Sequence, residues 1–293
     1  MERRTLLVTG ASGHLGRRVA ELLLGGPDQL VLATRHPEKL TAFAAAGAAV
    51  RSADFDRPQT LEAAFAGVDR MLLISTDALD RPGRRLKQHL AAADAAIRAG
   101  VRHIVYTSLT HPEPDSPILI APDHWGTEMA LAASRVEYTV LRNNLYTDYL
   151  PTSLVAAVAS GQLISAGQNG GIGYVTHEDC ARAAAAALRS TETRRATYDV
   201  TGPAVVARAE LAALAAELTG RPVEYVPVAP DVLRAGMIAA GLPPQLADLL
   251  VSFQVAEALG HLAVAGPAVL QLTGQAPTSV AAYFAGRREL LNG

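Results

Sequence analysis

Gly10, Gly13 and Gly16 stand three residues apart in the run Gly10-Ala11-Ser12-Gly13-His14-Leu15-Gly16. The apolar run TLLVT (5–9) precedes them, and Leu15, Val19, Leu22 and Leu23 follow at the spacing of one helix face. A strand, a glycine turn and a helix in that order make a cradle for phosphate. Gly10 permits the tight turn, Gly13 lets backbone approach a pyrophosphate, and Gly16 allows close helix packing, while the helix N-terminus offers N–H groups and positive dipole. Glycines alone would serve a plain strand-to-helix turn equally well. The flanking elements favour a dinucleotide site.

About twenty residues further on, the run LVLAT (30–34) ends at Thr34-Arg35-His36. An acid at this point would accept from the ribose 2′-hydroxyl of NAD. Arg35, with no acid beside it, suits a 2′-phosphate, so NADP(H) is expected in preference to NAD(H). The plainer alternative is an ordinary surface arginine. Ile74-Ser75-Thr76 ends another apolar run and would lie over the middle of the cofactor, or else be a plain strand end.

The proton chemistry is constrained by what is missing. Of the 26 basic residues only Lys39 and Lys87 are lysines, and no tyrosine has a lysine four residues later. A Tyr-x-x-x-Lys pair, the usual proton donor of short-chain dehydrogenases, is therefore excluded. The stretch after HIVYT (103–107) instead leads to Pro122-Asp123-His124-Trp125-Gly126-Thr127-Glu128. His124 and Glu128 could face one another as a surface pair on a helix. Trp125, the one tryptophan, could stack on a ring or pack in the core. No metal site is expected, because Cys180 is the one cysteine and His124 with Glu128 gives too few ligands.

The elements that must position these residues alternate. Strand-like runs occur at 5–9, 30–34, 49–53, 71–75, 103–107 and 138–142, with helical patterns between them. Apolar strands joined by helices predict a doubly wound (Rossmann) parallel sheet of order 3-2-1-4-5-6, with its crevice beside the first strand. The expected division is a cofactor domain over 1–145 with a return segment at 174–201, and a smaller, mixed, interwoven C-terminal lobe over 146–293. Helices are expected at 150–160, 177–188 and 208–219, and strands at 197–201 and within 220–228.

Net charge is −2 and basic residues do not cluster, which argues against a nucleic-acid partner. The N-terminal apolar run is too short for a signal-peptide core, and Asp248, Glu257 and His261 interrupt the most hydrophobic region. A cytoplasmic location without a membrane span is the expectation. Self-association into identical copies is compatible with the sequence but not dictated by it.

Taken together, VTGASGHLG, Arg35, LLIST, VYTSL, DHWGTE, LRNNLYTDY and AELTGRPVEY resemble the NmrA-like atypical short-chain dehydrogenases. Within that family they look most like type 2 NAD(P)H:quinone oxidoreductases and triphenylmethane dye reductases, and the resemblance covers nearly the whole chain. It implies that NADPH is held by Gly10 to Leu15, Arg35, Ile74 to Thr76, and Arg142-Asn143-Asn144-Leu145-Tyr146. It also implies a small aromatic or quinoid acceptor, met by His124, Trp125 and Tyr149. Hydride transfer to a conjugated acceptor spreads charge and needs no strong acid, although a donor near a developing oxyanion would help. Tyr146 is the first candidate for that donor and His124 the second. Tyr146 and Tyr149 could instead simply pack the lobe. The same family name covers non-catalytic redox sensors that act through a protein partner, which is the alternative reading.

Overall fold

The computed structural model describes residues 3–291. Its first compact unit comprises residues 1–109, 123–142 and 178–198, within those limits. Strands β1 (Thr5–Val8), β2 (Gln29–Thr34), β3 (Ala49–Ser52), β4 (Arg70–Leu73), β5 (His103–Leu109) and β6 (Glu137–Asn143) form its sheet. A seventh strand, Ala196–Val200, joins beyond β6, so the order is that expected from the sequence with one strand added. The β1–β2, β2–β3, β1–β4 and β4–β5 pairings are all parallel.

The strands are apolar on both faces because helices cover both. Every residue of β4 and β5 is buried. Helices α1 (His14–Leu23), α2 (Thr41–Ala45), α3 (Leu61–Phe65), α4 (Arg84–Arg98) and α5 (Ala121–Ala133) lie between successive strands in the chain. Leu7, Val31, Phe65, Met71, Ile104, Tyr106 and Leu131 belong to one continuous core. Gly126 marks the close approach of α5 to α4, since a Cβ there would come within 2.9 Å of the Leu86 side chain.

Arg70, at the start of β4, is buried and donates to the carbonyls of Ala187 and Leu188, each at 3.0 Å. It thereby satisfies the last turn of α7 (His177–Arg189), where a cation also suits the helix dipole. Cys180 is buried within the same helix.

The second unit comprises residues 110–122, 143–177 and 199–293, again as far as they are described. Chain order alone would assign 110–122 to the first unit. Besides α6 (Leu150–Ser160), α8 (Arg208–Thr219), α9 (Pro230–Ala239) and α10 (Pro244–Ala258), the second unit contains two small sheets. In one, β7 (Gln162–Ser165) runs parallel to Glu224–Pro227; in the other, β8 (Gly171–Ile172) is antiparallel to Val206–Ala207. A buried Arg208–Glu257 pair, 2.8 Å apart, ties α8 to α10. Among the described residues no helix is long and apolar enough to cross a membrane.

Candidate functional site

In the first unit the glycine loop has the geometry its spacing predicts. Gly10 adopts φ +58°, and the Gly13 N–H donates to the Gly10 carbonyl at 2.9 Å. Gly13 is the N-cap of α1 and has no side chain to accept from the first-turn N–H groups. A Cβ on Gly16 would lie 2.4 Å from the Gly10 oxygen and 2.9 Å from Ala11 Cα. Gly16 thus allows α1 to press against its own loop, a closer constraint than the helix-on-sheet packing expected of it.

The end of β2 is joined to this loop. Ser12 and Thr34 share a hydroxyl hydrogen bond of 2.7 Å, and Thr34 Oγ1 also accepts from the His36 N–H at 3.1 Å. Arg35 is exposed, with neither a hydrogen bond nor an ion pair among the described residues. Its positive charge helps to hold the Asp56 carboxyl at about 2, after the larger effects of the Arg84 and Gln88 hydrogen bonds. An uncommitted guanidinium beside a glycine-lined helix start fits a 2′-phosphorylated dinucleotide.

Ile74 to Thr76 run on past β4 without strand partners, yet all three amides are satisfied by side chains. The Ile74 N–H donates to Thr9 Oγ1 at 3.0 Å, Ser75 to Thr107 Oγ1 at 2.9 Å, and Thr76 to His89 Nε2 at 2.9 Å. Because His89 Nε2 accepts, its Nδ1 carries the proton and donates to Thr127 Oγ1 at 3.1 Å; Thr127 in turn donates to the Asp123 carbonyl at 2.7 Å.

His124 belongs to this buried network and not to a surface pair with Glu128. Arg85 donates to the Thr76 carbonyl at 2.6 Å and to His124 Nε2 at 2.8 Å, so His124 Nδ1 donates to Tyr106 Oη at 2.9 Å. His124 is 3% exposed, and burial, reinforced by Arg85 and His89, pushes its pKa well below the usual imidazole value. Glu128 is buried too, but it faces the other way: it accepts from Ser108 Oγ at 2.6 Å and from Arg142 at 2.7 Å. The Arg142 guanidinium expected at the cofactor is therefore engaged by Glu128. Trp125 is half-buried on α5.

Two buried histidines make acid sensitivity a direct expectation. Burial, with Arg85, lowers His89 to about 3, and burial, with Arg70, lowers His103 to about 4. Unfolding returns each toward 6.5, so the unfolded chain binds more protons between those values. Their contribution to stability is complete above pH 6.5 and is lost as the pH falls toward 4, by up to about 1.4 kcal/mol per pH unit for each group. The melting temperature should fall between pH 6.5 and 5, and less steeply in His103→Gln. A flat profile over that interval would contradict the neutral burial of both rings.

In the second unit, Asn143 Nδ2 donates to Tyr146 Oη at 3.3 Å, and the Tyr146 ring lies 4.0 Å from that of His177, centroid to centroid. The His177 N–H donates to Asp148 Oδ2 at 2.8 Å, and His177 Nδ1 lies 3.6 Å from the same oxygen. Burial alone would raise the Asp148 carboxyl, but its hydrogen bonds with His177 hold it below the ordinary range. Tyr149 stands edge-on to Tyr146 at 5.6 Å and is exposed. Asn144 donates to the Leu262 carbonyl at 3.0 Å and, from Oδ1, accepts from the Leu145 N–H at 2.8 Å. His177, whose ring packs on Tyr146, and its partner Asp148 are polar residues that sequence reasoning missed. The short bridge between Tyr146 and Val175 brings the following His177 back to Tyr146, a tertiary pairing that residue type and spacing do not signal.

Residues 10–191 match the NAD(P)H-binding family. The chain belongs to that family. Quinone oxidoreductase 2 of Escherichia coli is 35% identical over 278 residues, covering 94% of this chain and 96% of the relative. The crystal structure of the E. coli NADPH-dependent quinone oxidoreductase complexed with NADPH superposes with a TM-score of 0.90, covering 96% of this chain and 99% of that one. Triphenylmethane reductase from Citrobacter sp., complexed with NADP(H), gives a TM-score of 0.86 at 31% identity over 98% of this chain and 99% of that one. An NmrA-like family domain-containing oxidoreductase of Aspergillus flavus is 28% identical over 77% of this chain and 75% of the relative. The NAD(P)H-binding chain is an oxidoreductase homologue of this NmrA-like kind.

Proposed function

We propose that this NAD(P)H-binding chain reduces a quinone or a comparable conjugated aromatic acceptor with NADPH, by direct hydride transfer and without a tyrosine–lysine pair. What carries the reading is its likeness, over nearly the whole chain, to reductases named for a quinone and for triphenylmethane dyes. Gly10 to Leu15, Arg35 and Ile74 to Thr76 hold the cofactor, and the tract Arg142 to Tyr146 is assigned to it as well. Bound there, NADPH supplies the hydride. Tyr146 donates to the oxygen on which negative charge develops; Asn143 steadies its hydroxyl and the Asp148–His177 pair its ring. His124 is assigned a positioning role, since Arg85 and Tyr106 occupy both its nitrogens. Trp125 and Tyr149 are assigned to the acceptor.

The test is NADPH consumption with a panel of quinones and triarylmethane dyes against an acceptor-free control. At least one acceptor should raise the rate above background. If none does, a redox sensor working through a protein partner replaces this reading.

The cofactor preference has its own test. NADPH should bind more tightly than NADH, and Arg35→Asp should weaken NADPH binding by about ten- to a hundred-fold through the loss of charge-assisted hydrogen bonds. Equal affinities in the unmodified protein, measured by fluorescence titration, would remove Arg35 from the site.

A further inference from the structure

We propose that His111, Asp115 and His261, all in the second unit, form a binding site for a divalent transition-metal ion, with zinc the best match. Each offers a ligand atom within 4.8 Å of the other two. His111 Nε2 lies 3.2 Å from Asp115 Oδ1, and the two imidazole rings are 3.9 Å apart between centroids. His111 Nε2 and His261 Nδ1 are buried and make no hydrogen bond. Ring nitrogens left without a hydrogen bond cost free energy, and a cation shared among the two imidazoles and the carboxylate would offset that cost. Two neutral nitrogens and one carboxylate oxygen, with water as a fourth ligand, are a set zinc accepts. Tetrahedral bonds of about 2.0–2.2 Å require ligand atoms roughly 3.4 Å apart. His111 Nε2 and Asp115 Oδ1 already stand near that spacing, so binding calls for the two imidazole rings to move apart, and the Asp115 side chain, 70% exposed, can follow.

The backbone around the cluster is already held. His111 adopts φ +53°, a left-handed conformation uncommon for a residue with a side chain, which aims its ring from the loop after β5. That loop is anchored to α10, where the Leu119 N–H donates to Ser252 Oγ at 3.2 Å. His261 follows the same helix, and its N–H donates to the Ala256 carbonyl at 3.0 Å. Two ligand-bearing loops therefore share one rigid support. The Glu113 carboxylate lies 3.6 Å from the other nitrogen of His111, Nδ1, and would have to close on it to orient a metal-bound ring.

The experiment is equilibrium dialysis and calorimetry of the chelator-treated full chain with Zn²⁺ alone, with Mg²⁺ as the hard-cation control. One Zn²⁺ per chain should bind and raise the melting temperature, while Mg²⁺ should do neither. His261→Ala should weaken binding by at least about a hundred-fold, and Asp115→Asn, at an exposed position that does not threaten folding, by about ten- to a hundred-fold. His261→Gln replaces His261→Ala if the latter has lost its native circular dichroism. NADPH affinity, measured in parallel, should be unaffected by Asp115→Asn. Absence of stoichiometric Zn²⁺ binding, equal binding of Mg²⁺, or undiminished Zn²⁺ affinity in the folded variants would overturn the proposal.

Discussion

Gly13→Val is expected to abolish dinucleotide binding in a chain that still folds. Gly13 has φ −81° and ψ 171°, an extended conformation open to any residue. A Cβ there would lie 3.3 Å from the Gly10 carbonyl, tight enough to need a shift of a few tenths of an ångström but no rearrangement. The valine methyls would then occupy the space in front of the α1 N-terminus, where the pyrophosphate is proposed to sit. Gly16→Ala should behave in the opposite way. Its Cβ would meet Gly10 and Ala11 backbone at 2.4 to 2.9 Å, so the loss should be of folded protein first. NADPH titration beside thermal melts separates the two. Unchanged NADPH affinity in folded Gly13→Val would place the cofactor elsewhere.

Tyr146→Phe is expected to slow quinone reduction by about ten- to a thousand-fold, the range for one lost oxyanion donor or acid. The phenyl ring keeps the contacts with His177 and Tyr149 and loses the hydroxyl that accepts from Asn143. Reduction of a triarylmethane cation develops no oxyanion, so it should lose much less. The ratio of the two rates is the decisive measurement, because a packing defect would lower both alike. Equal losses, or none with a quinone, would exclude Tyr146 as the donor. His124→Ala acts through Arg85 and Thr76, so it should affect both acceptors together.

The parts of this molecule that repeat locally were readable in advance. The alternation of apolar strands with helical patterns anticipated the sheet order, and the glycine spacing anticipated the loop, because both signals lie within a few adjacent residues. The polar interior was not readable. His124 and Glu128 share one helical face on paper, yet each is buried against different partners, His124 with Arg85 and Tyr106 and Glu128 with Ser108 and Arg142. Those partners come from α4, β5 and β6, and residue type alone marks Arg85, Ser108 and Arg142 for the surface. Asp148 and His177 escaped for the same reason, as did His111 and His261, whose proximity depends wholly on tertiary folding.

The segment from Ile74 to Thr76 separates what holds a backbone from what that backbone displays. Thr9, Thr107 and His89 grip its amides; Thr107 Oγ1 also donates to Ser75 Oγ at 3.4 Å and Thr76 Oγ1 approaches His89 at 3.5 Å, so of the three side chains Ile74 alone stands outside these hydrogen bonds. A substitution at 74 therefore leaves the hydrogen bonds that hold the chain intact, whereas a change at 9, 89 or 107 would release it. Descendants of such a protein can vary the residue displayed at 74 with the three gripping side chains as the fixed inheritance.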